Sequence, residues 1–135
     1  MNKNLSEIQK AFKGRLVGTK IMQRHVASVL SSMDEKIIKY ISTNCWFVSS
    51  MEDAWAFVLK GNELKDKYLI FIGEDLLKQS TEQIHYTIAH EIGHVVLRHR
   101  NSVFVNQTRS EIRKQEKAAH AFALKYVRKP IRITA

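Results

Sequence analysis

Residues 80–97 have the sequence STEQIHYTIAHEIGHVVL, and their pattern predicts one long amphipathic helix. Ser80, followed three residues later by Gln83, has the spacing of a capping box, a usual start of a helix. Apolar residues then recur at helical spacing, and they are Ile84, Ile88, Ile92, Val95 and Val96. This stripe indicates that one face of the helix is buried and that the helix runs to Leu97.

The second half of this helix carries the pattern His-Glu-x-x-His, formed by His90, Glu91 and His94. Residues four apart project from the same face, so two imidazoles can take two corners of a tetrahedral Zn²⁺ site. Glu91 lies one step round the helix, where a carboxylate can take a proton from zinc-bound water and pass it to a leaving amine. Gly93 has no side chain, and we expect the strand beneath the helix to approach closely there. The pattern predicts a hydrolytic zinc centre with Glu91 as its catalytic residue.

A catalytic zinc needs a third protein ligand, and a second predicted helix at residues 110–127 offers the candidates. Glu116 and His120 are four apart, on the face that we expect to meet the first helix across the apolar stripe of Ala119, Phe122 and Ala123. We predict Glu116 as the ligand and His120 as a group that orients a ligand imidazole. The reverse assignment, with His120 as ligand and Glu116 as its partner, stays open. Glu111 precedes that face by more than a turn and is expected to be a solvated charge.

A small three-stranded sheet is predicted upstream of these helices. The strand candidates are the apolar runs at residues 45–48, 54–59 and 68–72. The third run is continuous, as in the buried interior of a sheet. The second could instead be a helix, because Ser50 with Asp53 has the spacing of a cap. Trp46 and Trp55 are expected to be core anchors of the sheet.

The first 43 residues are predicted to be helical. One apolar stripe at helical spacing runs from Leu5 to Leu16, a second includes His25 as a packed residue, and a third short helix begins at Asp34. The order of helices, strands and then helices indicates an α+β domain with helices on one face of the sheet.

The composition is that of one globular domain of 135 residues, with 44% hydrophobic and 26% charged residues. No run approaches the roughly 18 apolar residues that a bilayer requires. The N-terminus is charged and lacks the apolar core of a secretory signal. The single cysteine, Cys45, suits a reducing compartment and is expected to be a buried small hydrophobe. We therefore predict a cytoplasmic protein without a membrane partner.

The net charge of +9 is concentrated in residues 98–135, which hold ten Lys or Arg against two Glu. Such a segment could attract nucleic acid. Its charges are scattered along a predicted helix without a recognisable nucleic-acid motif. A solvated basic face is the favoured interpretation, and we do not expect direct nucleic-acid binding.

Two stretches resemble the ImmA/IrrE family of gluzincin metallopeptidases. The first covers residues 68–77, YLIFIGEDLL, and the helix that contains TIAHEIGHVVL. The second is EKAAHAFA at residues 116–123, which is similar to a family motif of Glu, then Ala three residues later, then Asp or Asn, and a closing Phe-Ala. The resemblance implies that Glu116 is a zinc ligand. His120 stands where Asp or Asn is usual.

The resemblance implies a single zincin-like metallopeptidase domain over residues 1–135. Its parts are the N-terminal helices (1–43), the small sheet (44–79), the His-Glu-x-x-His helix (80–98) and the third-ligand helix (109–128). Such proteins are cytoplasmic, are often linked to phages or mobile elements, and in some cases cleave a helix-turn-helix repressor. We therefore expect an intracellular zinc metallopeptidase that acts on a protein or peptide, with such a repressor as the substrate that the family implies.

A regulatory binding module with a structural zinc is the alternative, and it would capture a partner without cutting it. The unusual His120, the small size of the chain and the basic C-terminal third favour this alternative. Against it, structural zinc sites usually have four protein ligands, often cysteines.

The remaining histidines and the tyrosines near the motifs have less defined expected roles. His85 and His99 are each five residues from a motif histidine and fall off the metal face. Tyr86 and Tyr126 could each offer a phenol to a tetrahedral oxyanion, although core packing is the expected use of both.

Overall fold

The computed structural model describes residues 4–50, 56–60, 67–97 and 108–130. Within these ranges the chain has an α+β fold of six helices and four strands. The helices are α1 (Leu5–Ala11), α2 (Lys20–Ser31), α3 (Glu35–Asn44), α4 (Glu74–Leu77), α5 (Thr81–Val96) and α6 (Arg109–Tyr126). The strands are β1 (Leu16–Val17), β2 (Cys45–Ser50), β3 (Ala56–Lys60) and β4 (Tyr68–Gly73).

The strands form one mixed sheet in the order β1-β2-β4-β3. β1, β2 and β4 run parallel, whereas β3 runs antiparallel along the outer side of β4. The central pair is in register from Cys45 opposite Tyr68 to Ser50 opposite Gly73. The three predicted strands are confirmed, and the helical alternative for the second is wrong over Ala56–Lys60. The expected count of three strands is also wrong, because β1 adds a fourth.

Leu16 lies in β1, so the prediction of a helical stripe that reaches this residue is wrong. The helix α1 ends at Ala11, and Lys13 and Gly14 then adopt positive φ angles of 51° and 88°. Backbone in this left-handed region ends a helix and turns the chain. Leu16 can therefore pair with Phe47 at the edge of the sheet.

The sheet and the helices share one cluster of buried side chains. In β2, Cys45 and Phe47 are fully buried, whereas Trp46 between them is 36% exposed. Successive side chains of a strand point to opposite faces, so an uninterrupted apolar run does not bury all its members. The burial of Cys45 is confirmed, and the expected core role of Trp46 is wrong. Trp55 lies outside the described residues.

The helix α5 follows the prediction closely. The Ser80 hydroxyl accepts a hydrogen bond from the backbone N–H of Gln83 at 3.2 Å, as a cap should. The side-chain amide of Gln83 turns the other way and donates to the Thr87 hydroxyl at 3.0 Å. The predicted buried stripe is confirmed at Ile84, Ile88, Ile92 and Val95. The helix α5 contacts β3 and β4 of the sheet as well as the helices α2 and α6.

The helix α6 begins one residue before the predicted start and ends one residue before the predicted end. Thr108 caps it by accepting a hydrogen bond from the backbone N–H of Glu111 at 3.1 Å. Glu111 itself is exposed, as expected. Only Ala119 and Ala123 are buried along this helix. None of the helices in the described ranges is long and apolar enough to cross a membrane.

Candidate metal centre

The helix α5 presents His90 and His94 on one face, with ring centroids 4.8 Å apart. The spacing of four residues produces this arrangement, since one helical turn brings both imidazoles to the same side. The His94 side chain is only 4% exposed and that of His90 16% exposed. Surrounding side chains therefore restrict both rings.

Glu116 on α6 contacts both imidazoles. One carboxylate oxygen, Oε2, lies 3.0 Å from Nε2 of His90, and the other, Oε1, lies 3.1 Å from Nε2 of His94. The donor atoms of the three residues all lie within 4.8 Å of one another. The three residues that were predicted as metal ligands are thus brought together from two helices, and the group could hold a metal ion.

Two of the separations within this group can be compared with those around a tetrahedral zinc ion. Two donors that each lie about 2.0–2.1 Å from such an ion are separated by about 3.3–3.4 Å. The contacts of Glu116 with His90 and His94, at 3.0 and 3.1 Å, are close to that separation. Two imidazoles and one carboxylate are also ligands that Zn²⁺ accepts, with a fourth position left for water. The residues present could therefore hold a metal ion, and their types are ones that Zn²⁺ accepts.

The carboxylates of Glu116 and Glu91 favour the protonated form of His90. Burial lowers the pKa of His90, but hydrogen bonds with Glu116 and Glu91 and the charges of both carboxylates outweigh it and raise the pKa to about 9. Hydrogen bonds from His90 and His94 hold the pKa of Glu116 well below its usual range. Glu116 therefore stays ionised, and the centre favours a positive charge between the two helices.

Glu91 lies beside this cluster. Its side chain is 12% exposed, and Oε1 lies 3.6 Å from Nδ1 of His90, whereas Glu116 contacts the other ring nitrogen. The carboxylate thus stands next to the predicted ligands without joining the group of three donors. Its role as the catalytic residue stays a prediction.

The close neighbour of Gly93 is a residue of α6. A Cβ atom at Gly93 would lie 3.0 Å from Cδ1 of Phe122 and 3.3 Å from its Cβ. The expectation that a strand approaches Gly93 is therefore wrong. Because the buried residues of α6 are two alanines, the two helices can approach closely at this crossing, and Phe122 fills the space that Gly93 leaves. The sequence indicated a close approach, but only the packing of α6 identifies its partner.

His120 contacts Tyr86, one turn of α5 before His90. The Tyr86 hydroxyl lies 2.7 Å from Nδ1 of His120, and the ring centroids are 5.7 Å apart. Tyr86 is 6% exposed. Burial, followed by the charges of Glu116 and Glu91, raises the pKa of this phenol. His120 is not a member of the metal-ligating group found among the described residues, so the geometry favours Glu116 over His120 as third ligand.

The sequence patterns did not predict the pairing of Tyr86 with His120, because each residue was assigned a role on its own. The available signal was their position. Each lies four residues from a predicted ligand, Tyr86 before His90 and His120 after Glu116, on the two faces that were expected to meet.

The other predicted residues lie away from this centre. Nδ1 of His25 on α2 lies 3.1 Å from Nε2 of His85 on α5, so these histidines form a separate pair. The Tyr126 hydroxyl donates to Asp34 at 3.4 Å. His99 lies outside the described residues.

The comparisons with known proteins identify the family. No curated protein matches the chain, and no solved structure does. The family model described as Peptidase U49 matches residues 66–133, which include β4, α5 and α6 and so all the residues of the candidate centre. This match indicates a proteolytic enzyme but does not single out the ImmA/IrrE family. The chain belongs to the Peptidase U49 family.

Proposed function

We propose that the chain is a zinc-dependent metallopeptidase with a single-ion centre. Its ligands are His90, His94 and Glu116, and its general base is Glu91. One observation carries the proposal: the two carboxylate oxygens of Glu116 lie 3.0 and 3.1 Å from the Nε2 atoms of the two motif histidines. Membership of a peptidase family supports the proteolytic half of the proposal.

Each residue has a separate part in the reaction. When bound here, Zn²⁺ supplies positive charge that polarises a water molecule and the carbonyl of the scissile peptide bond. Glu91 accepts a proton from the attacking water and later delivers it to the nitrogen of the leaving amine. The histidines and Glu116 offer one negative charge in total, so their complex with a divalent cation keeps a net positive charge. That charge favours the negative oxygen that develops on the carbonyl.

The test separates metal binding from catalysis. Purified wild type, Glu91→Gln and Glu116→Ala are analysed for zinc and incubated with a mixed peptide library, and new chain ends are detected by mass spectrometry. Wild type should hold one equivalent of zinc and cut peptides. Glu91→Gln should keep the zinc and lose cleavage, because the amide cannot accept the proton, whereas Glu116→Ala should lose the zinc. Cleavage by Glu91→Gln at the wild-type rate would contradict the catalytic assignment.

We further propose that the enzyme is of ImmA/IrrE type, acts in the cytoplasm and cleaves a helix-turn-helix transcriptional repressor. The resemblance of residues 68–97 and 116–123 to that family supports this narrower assignment. The test is incubation of the zinc-loaded protein with purified helix-turn-helix proteins encoded beside its gene. A single cut in one of them, absent with Glu91→Gln, is the expected result. If the peptide library is cleaved and the repressors stay intact, the metallopeptidase proposal is retained and the repressor is rejected as substrate.

A further inference from the structure

We propose that the hydrogen bond between Tyr86 and His120 positions Glu116 for metal binding. The inference rests on the proposed metal centre. The polar contacts between the two helices include two that lie one turn apart: His90 with Glu116 and Tyr86 with His120. Tyr86 is four residues before His90, and His120 is four residues after Glu116, so the second contact lies next to the first.

Glu116 is the predicted ligand that packing constrains least. Its side chain is 54% exposed, compared with 16% for His90 and 4% for His94. Residues 109–118 of α6 include no buried side chain, and the first buried residue of this helix is Ala119. The turn that carries Glu116 therefore lies outside the fully buried part of α6. A ligand on such a turn needs another contact to hold it against α5, because an unrestrained side chain loses more entropy on binding.

Tyr86 can supply this restraint. Its ring is tilted against the ring of His90, with centroids 5.8 Å apart, and its hydroxyl reaches His120 at 2.7 Å. This hydrogen bond joins α5 to α6 in addition to the contacts that Glu116 makes with the two histidines. One buried phenol thus touches an imidazole of the centre on α5 and fixes α6 one turn from Glu116.

The hydrogen bond of the Tyr86 hydroxyl needs a partner atom at the position of Nδ1 of His120. The Oδ1 atom of an asparagine side chain lies at the same number of bonds from the backbone and can accept a hydrogen bond from the Tyr86 hydroxyl. His120→Asn should therefore preserve the restraint, whereas His120→Ala removes it. If the imidazole had only a packing role, His120→Asn would weaken zinc binding as well, since asparagine does not fill the volume of a histidine ring.

The experiment measures zinc affinity by competition with a chelator and the thermal unfolding of the metal-free protein. Tyr86→Phe and His120→Ala should each weaken zinc binding by about 3- to 10-fold, the effect expected for one lost hydrogen bond. The double variant should be no weaker than the worse single variant, because both remove the same bond. His120→Asn should bind zinc as wild type does. Tyr126→Phe is the matched control, because it removes a phenol hydroxyl of α6 that bonds Asp34 away from the centre.

The outcomes separate this inference from the proposed function. Zinc binding by Tyr86→Phe at wild-type affinity would overturn the inference and leave the metal centre intact. An equal loss of zinc affinity in Tyr126→Phe would also overturn it, since the removal of any tyrosine hydroxyl would then weaken zinc binding. A wild-type protein that takes up no zinc would contradict the metal centre itself and this inference with it. If His120→Ala does not fold, Tyr86→Phe and His120→Asn still decide the question.

Discussion

Phe122 packs so closely against Gly93 that a side chain at this position would crowd it. An ideal Cβ at Gly93 would lie 3.0 Å from Cδ1 and 3.3 Å from Cγ of Phe122. Gly93 immediately precedes His94, and Phe122 lies less than two turns after Glu116, so this contact sets how closely the two helices of the candidate centre approach. A glycine in the middle of a helix costs roughly 1 kcal/mol relative to alanine. At this position the close approach of α6 offsets that cost.

Gly93→Ala should therefore destabilise the protein although alanine favours a helix. Overpacking a filled core costs roughly 1–3 kcal/mol, which exceeds the helix-propensity gain of about 1 kcal/mol. We expect a lower free energy of unfolding in urea and weaker zinc binding, because α6 must move outward with Glu116.

The control is to make Gly93→Ala again in a Phe122→Ala variant, which lacks the ring atoms that the new methyl group would meet. In that background, Gly93→Ala should become stabilising, since only the helix-propensity gain remains. The same destabilisation in both backgrounds would show that Phe122 is not the cause.

Zinc should raise the stability of the folded protein. An ion that binds the folded chain alone, at about 100 times its dissociation constant, adds about 2.7 kcal/mol to the free energy of unfolding. The increase should be present in wild type and lost in Glu116→Ala, as measured by thermal unfolding with and without zinc. Glu111→Ala is the control, because Glu111 is an exposed glutamate of the same helix whose carboxylate accepts a hydrogen bond from Thr108. An undiminished zinc effect in Glu116→Ala would remove Glu116 from the ligand set.

The pair formed by His25 and His85 should make the stability depend on pH. The pKa of His25 is lowered mainly by burial and also by the charge of Arg24. The pKa of His85 is lowered mainly by burial and also by His25, although the charge of Glu82 opposes this shift. The unfolded chain therefore binds more protons than the folded chain below the ordinary histidine pKa of about 6.5. The stability that this pair contributes is fully present above that pH and is lost as the pH falls below it.

The measurement is urea unfolding of wild type and of the double variant His25→Gln/His85→Gln between pH 5 and pH 7.5 in the absence of metal. Relative to wild type, the double variant should gain stability as the pH falls, because it has no imidazole to protonate at this interface. Parallel pH profiles of the two proteins would contradict the prediction.

The Cys45 thiol should be inert in the folded protein. The side chain is fully buried, and burial raises its pKa to about 12, against the opposing charges of Arg15 and Lys67. Because the thiolate is the reactive form, iodoacetamide at pH 8 should label Cys45 only as the chain unfolds. The labelling rate should follow the unfolded fraction in a urea series. Fast labelling without urea would mean that Cys45 is accessible in the native state.

Several features could be predicted from the sequence because local patterns specify them. Capping and apolar periodicity located α5 to within a residue, and the spacing of four alone places His90 and His94 on one face. The strand at Tyr68–Gly73 followed from its apolar run. Glu116 as the third ligand needed one further assumption, that the apolar stripe of α6 faces α5. The close approach of Phe122 to Gly93 agrees with that assumption, and Glu116 lies beside both histidines.

Other features depend on contacts between residues far apart in the chain, which no local pattern records. Leu16 lies in a strand because Lys13 and Gly14 turn the chain and Phe47 offers an edge to pair with. Trp46 is partly exposed because only one face of β2 meets the core.

The centre itself shows the same division. The residue types and helical spacing that could bind and use a metal ion are local properties of two segments, and the sequence alone determined them. The neighbour of Gly93 and the partner of His120 depend on how α6 crosses α5, which follows from side-chain volumes across the whole interface. Tertiary packing therefore decided that Phe122 fills the space at Gly93 and that Tyr86 bonds His120 beside Glu116.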